Sequence, residues 1–140
     1  MPGRYFLDTN IFVYSFDASA PEKSRRSTEL IREAVATRLG IVSYQVVQEF
    51  FNVAFRRFAE PMSQSDAEQY LGTVFRPLMA VQSSVMLYQE ALALCQRYRF
   101  GWFDSLIVAA AQTGECEILY SEDMQHGQKL GNLRVENPFR

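Results

Sequence analysis

A chain of 140 residues with 48% apolar and 21% charged side chains can bury a real core, predicts one domain over residues 1–140, and is not a disordered polymer. Its formal charge of −2 argues against a broadly basic nucleic-acid binder and leaves local basic patches or metal ions as routes to such a ligand. No apolar run approaches the ~20 residues of a membrane span, and Met1 to Asn10 lacks the apolar core of a signal peptide, so no membrane association is expected.

The first element is "RYFLD", a short apolar run that predicts a buried strand ending in a carboxylate, Asp8. Lys23 to Arg38 reads as a helix with Leu30, Ile31, Ala34 and Val35 on one side. "LGIVS", Leu39 to Ser43, predicts a second strand, and Ser43 can cap a helix running to about Phe58. "SQSD", Ser63 to Asp66, resembles a capping box and opens another helix. "LMAVQS" is a weaker third strand. Val85 to Arg99 and Phe103 to about Thr113 read as helices, the second stopped by Gly114. "EILYS", Glu117 to Ser121, and "LRVEN", Leu133 to Asn137, complete a set of about five strands. The cysteines, Cys95 and Cys116, make neither a disulfide framework nor a metal quartet and read as reduced thiols of a cytoplasmic protein. Short strands alternating with longer helices predict an α/β fold with a mainly parallel sheet covered on both faces. Sites in such sheets lie beyond the carboxyl ends of the strands, where Asp8 and the "SED" of Ser121 to Asp123 fall.

Four acids can be argued to converge there. Asp8 suits a helix cap and a metal ligand equally. Asp104 is the one charge of "WFDSLIVAAA", an otherwise apolar helix, and sits in its first turn, where capping and metal binding are again both open. Asp123, beside Glu122, follows the "EILYS" strand by two residues in what could be a plain turn. Glu49 shares a helix face with Asn52 and Arg56, opposite the apolar stripe of Val46, Val47, Phe50, Phe51, Ala54 and Phe58. That face suits solvent or a polar cleft. Two carboxylates at ~4 Å repel by about 4 kcal/mol at an effective dielectric of 20, a strain that protons or cations relieve. Oxygen-only ligands suit Mg²⁺ or Mn²⁺, which activate water and stabilise phosphoryl charge. The one histidine, His126, falls in a surface turn, and no Gly-rich phosphate loop is present.

"FLDTNIFVY", "QVVQEFFNV", "WFDSLIVAAA" and "LYSEDMQHG" resemble, in order and spacing, the acidic motifs of PIN-domain nucleases, and most closely VapC-type toxins of bacterial toxin–antitoxin pairs. The resemblance spans nearly the whole chain. It implies a three-layer α/β/α sandwich and a Mg²⁺- or Mn²⁺-dependent endoribonuclease. It maps Asp8, Glu49, Asp104 and Asp123 onto the family's acids, ahead of Glu122, with Asn10 and Ser121 in support. It further implies homodimers and an antitoxin whose tail occupies the active-site groove. Phe103 before the third acid and Ser105 after it depart from the small or apolar residues common there, which bears on groove shape.

RNA contact needs cations, and Arg56 is the leading candidate because it shares the Glu49 face. Lys23, Arg25 and Arg26, then Arg57, then Arg97 and Arg99, form other small groups. Three rival readings remain. A phospho-receiver domain needs an Asp after a middle strand, which "IVSYQ" and "AVQSS" do not offer. An Asp-x-Asp phosphatase needs a second Asp where Asn10 stands. A catalytically degenerate PIN-like module would bind RNA or protein and keep the fold.

Overall fold

The structure is a computed structural model and describes residues 3–140. Six strands form one sheet: β1 (Tyr5–Leu7), β2 (Gly40–Ser43), β3 (Met79–Val81), β4 (Ile118–Tyr120), β5 (Lys129–Leu130) and β6 (Leu133–Glu136). The helices are α1 (Thr9–Tyr14), α2 (Pro21–Thr37), α3 (Tyr44–Arg56), α4 (Gln64–Tyr70), α5 (Arg76–Leu78), α6 (Val85–Tyr98) and α7 (Trp102–Thr113). A π-helical turn, Leu71–Phe75, joins α4 to α5.

The strand order is β3-β2-β1-β4-β6-β5, and every pairing is parallel except β5 with β6. The chain therefore builds outward from β1 to β2 and β3, then returns to the other side of β1 with β4. Right-handed crossovers put helices on both sheet faces, giving the α/β/α sandwich. The reversal between β1 and β4 is a topological switch point, where loops from the two halves diverge and leave a crevice.

The sheet has six strands against the expected five. The additional one, β5, is only two residues long. It pairs with β6 through the Gly131–Asn132 turn, where Gly131 adopts φ +66°. Strand β1 is buried throughout, and Phe6 and Leu7 have no exposed surface. Helix α7 is buried from Ser105 to Ala111, as its all-round apolar sequence requires. Close contact of α2 with β2 rests on Gly40, where a Cβ would come within 2.4 Å of the Ala34 Cβ.

The "SQSD" cap forms as expected, with Ser63 Oγ accepting from the Asp66 N–H at 3.1 Å. Ser43 precedes α3 but its hydroxyl makes no capping bond; it is buried and unpartnered. No helix among the described residues is long and apolar enough to cross a membrane.

Candidate active site

The ends of β1 and β4 meet at the switch point. The Asp8 N–H donates to the Tyr120 carbonyl at 3.1 Å, extending the β1–β4 ladder one residue and setting Ser121 beside Asp8. The Ser121 hydroxyl donates to Asp8 Oδ2 at 2.8 Å, and the Thr9 N–H donates to Oδ1 at 2.7 Å. Asp8 is thus the N-cap of α1 and a member of the site at once. It is only 7% exposed. Burial is the main force raising its carboxyl to a pKa of about 6; the Ser121 and Thr9 bonds oppose the rise, and the Glu49 and Asp123 charges add to it.

Short side chains on α1 reach the other acids. Asn10 Nδ2 donates to Asp123 Oδ2 at 2.7 Å. The Thr9 hydroxyl donates to Glu49 Oε1 at 3.0 Å, and Gln45 Nε2 donates to the same oxygen at 3.3 Å. Gln45 also donates to the Phe103 carbonyl at 3.3 Å, tying α3 to the start of α7, where Asp104 stands in the first turn. The Asp104 carboxyl is pushed up, first by burial and then by the Asp123 charge. Asp123 therefore acts on both Asp8 and Asp104, while Glu49 acts on Asp8.

Four acids from four segments share this end of the sheet, and none of them forms an ion pair among the described residues. In the positions the side chains take here, no three metal-ligating groups among the described residues form a closed ligand set. The donor chemistry nevertheless fits a hard divalent cation. It is all oxygen, it lacks a counter-charge, and it includes a carboxyl, Asp8, whose ionised form is disfavoured first by burial and then by the neighbouring acids.

The remaining candidates sit apart from this cluster. Asn52 and Arg56 are exposed, one and two turns along α3 from Glu49, so Arg56 lies about 10 Å further along the helix axis. Lys23 pairs with Glu122, Arg25 with Glu22, and Arg26 with Glu29, so the basic group on α2 is balanced locally. Glu122 also accepts from the Tyr14 hydroxyl at 2.5 Å. His126 Nδ1 accepts the Asn137 N–H at 2.9 Å, a bond that braces a turn. Cys95 donates to the Ser105 hydroxyl at 3.1 Å, and burial raises the Cys116 thiol to about 12. Thr9 and Gln45 are contributors that the sequence reading passed over. Thr9 lies between two residues already singled out, and Gln45 lies one helical turn before Glu49.

Residues 5–129 match the PIN domain family model. The fold is similar to that of a toxin–antitoxin complex from Klebsiella pneumoniae, with 19% identity, 96% of this chain and 97% of that chain covered, and a TM-score of 0.66. FitAcB from Neisseria gonorrhoeae is similar over 96% of this chain and 98% of its own, at 14% identity and a TM-score of 0.65. VapC20 from Mycobacterium tuberculosis, a Sarcin–Ricin loop cleaving toxin, is similar over 85% of this chain and 89% of its own, at 18% identity and a TM-score of 0.60. No curated protein matches the sequence. The solved structures share the fold, and the family match spans most of the sequence: the chain belongs to the PIN domain family.

Proposed function

We propose that the chain is a divalent-metal-dependent endoribonuclease and acts in the cytoplasm as the toxin of a toxin–antitoxin pair. The observation that carries the reading is the gathering of Asp8, Glu49, Asp104 and Asp123 at the switch point, with no cation among the described residues paired to any of them. In this reading Asp8, Asp104 and Asp123 hold Mg²⁺ or Mn²⁺. When bound, that ion supplies an activated water and offsets charge developing on the phosphate. Ser121 and Thr9 fix the Asp8 oxygens, and Asn10 fixes Asp123. Thr9 and Gln45 hold Glu49 by Oε1 and leave Oε2 to accept a proton from the attacking water. Asn52 and Arg56 extend the site along α3 toward the RNA backbone, and so few cations predict a shallow salt dependence.

The toxin role draws on two of the similar structures, a toxin–antitoxin complex and a Sarcin–Ricin loop cleaving toxin. It brings a cognate antitoxin and a homodimer of this single domain as partners. The products test the chemistry. Hydrolysis by a water leaves 5′-phosphate and 3′-hydroxyl ends, needs Mg²⁺ or Mn²⁺, and survives His126→Ala. Fragments ending in 2′,3′-cyclic phosphate would reject it.

A second reading, a degenerate module that only binds RNA or protein, has one observation in its favour: no closed three-ligand set is formed beforehand among the described residues. It predicts no thermal stabilisation by Mn²⁺ and no cleavage.

A further inference from the structure

Beside the acids lies a cavity of about 280 Å³, just below the ~300–1,000 Å³ of pockets that hold drug-sized ligands. No charged side chain lines it. Its walls carry the aromatic rings of Tyr44, Tyr88, Trp102 and Phe103, and Phe103 is 62% exposed. Trp102 and Tyr88 are in contact, with ring centroids 5.8 Å apart. Amide side chains of Gln48 and Gln82 face the same space. Ser43, which also lines it, is 3% exposed and its hydroxyl has no hydrogen-bond partner. The cavity adjoins the acids through two of its lining residues: Gln45 holds Glu49, and Phe103 directly precedes Asp104.

We propose that this cavity is a nucleobase subsite that takes one unpaired base of the RNA next to the bond being cut. Walls without a cation, beside a cluster of carboxylates, disfavour a phosphate or carboxylate as occupant. Flat aromatic faces combined with amide and hydroxyl groups match a planar, neutral ligand with hydrogen-bonding edges, which is how proteins read splayed-out bases. Trp102 and Phe103 supply stacking surface, while Gln48 and Gln82 address the base edge. The proposal rests on the ribonuclease reading for its substrate, and the pocket supplies that reading with sequence preference.

Trp102 is the only tryptophan of the chain, so its emission reports on this cavity alone. The full-length protein in EDTA is titrated with short single-stranded RNAs in which one abasic nucleotide is moved along the strand. Intact RNA quenches Trp102, and an abasic nucleotide at one position weakens binding about tenfold, the scale of one lost stacking contact. Gln48→Ala flattens the preference for base identity at that position while leaving the melting temperature within about 2 °C of the wild type, as for an exposed side chain; a residue needed only for packing would not combine these effects. Equal affinity at every abasic position, or unquenched Trp102 emission, overturns the proposal. A shift of Trp102 emission with protein concentration in the absence of RNA also overturns it, because a second copy then covers the pocket. A position-sensitive quench from a protein that cuts no RNA with Mn²⁺ present supports the pocket and removes the ribonuclease reading instead.

Discussion

Two sets of four acids, among the sixteen of the chain, stand in contrast. Glu22, Glu29, Glu122 and Glu136 each lie within ion-pair distance of an arginine or lysine. Asp8, Glu49, Asp104 and Asp123 pair with none among the described residues, although Glu122 and Asp123 are consecutive in one turn. Burial acts to raise Glu122, but hydrogen bonds from Lys23 and Tyr14 and the Lys23 charge carry it below the usual range. Asp8 and Asp104 are raised, burial leading in both. An acid supplied with a local cation is settled in the fold. A group of acids left without one stores repulsion that an external cation can release. The difference lies in what the fold brings near each carboxylate, which composition and net charge do not reveal.

The comparison breaks most visibly in cleavage rates. Asp8→Asn, Asp104→Asn and Asp123→Asn should each lower RNA cleavage by roughly 10²-fold or more, with Glu49→Gln close behind. Glu136→Gln should leave it within about threefold, the usual insensitivity of surface charges. Rates on a single RNA, from variants with wild-type circular dichroism, decide the matter. Equal losses in the two populations would mean that the unpaired set has no special role.

Stability against pH sharpens the same contrast. The Asp8 carboxyl has a pKa of about 6 in the fold against 3.8 as the ordinary value. For an acid raised in this way the native state is favoured while the group is protonated. That contribution is fully present below the ordinary value and is lost as pH rises through about 6. Above that, ionised Asp8 costs about 3 kcal/mol. Asn at this position can still accept from the Thr9 N–H and can donate to Ser121. Asp8→Asn should therefore match or trail the wild type near pH 4 and exceed it in melting temperature above pH 7, in EDTA. Mn²⁺ at ~100 times its dissociation constant should return about 2.7 kcal/mol to the wild type and little to the variant. If Asp8 served only as a cap, the variant would lose about 1 kcal/mol at every pH and keep the full metal response. Melts at three pH values with EDTA or Mn²⁺ distinguish the two.

Much of this was legible in the sequence, and the exceptions have physical reasons. The strands before Asp8 and Ser121 were readable because buried parallel strands are short apolar runs with abrupt ends. Strand β5 was missed because two residues carry no period, although Gly131–Asn132 is a hairpin signal. The ends of α2 and α6 fall within one residue of the expected Arg38 and Arg99, although these C-caps take the left-handed conformation usually given to glycine. Ser43 stands at the N-cap position of α3 as expected, but its buried hydroxyl makes no capping bond. No local pattern could reveal that Gln45 joins Glu49 to the Phe103 carbonyl, because that link spans two elements distant in sequence. The Lys23–Glu122 pairing was hidden for the same reason.

That pairing yields the smallest expected effect and the closest control. Lys23 Nζ sits on Glu122, within 3.4 Å of the Tyr14 hydroxyl and 5.6 Å from the Phe139 ring centroid, so one exposed cation closes the turn that carries Asp123. A pair this open to solvent is screened and contributes little. Lys23→Met should lower the melting temperature by about 2 °C, and about 1 M salt should erase the difference. Glu122→Gln should do much the same, because Gln can still accept from Tyr14. Both variants should keep RNA cleavage within about threefold, since neither removes an oxygen from the unpaired group. The informative measurement is Glu122→Gln beside Asp123→Asn, two neutralised acids one residue apart. If both abolish cleavage, the turn acts as a unit and its two carboxylates cannot be assigned separate roles. If only Asp123→Asn does, the ion pair has settled one acid of the turn and left the other free for chemistry.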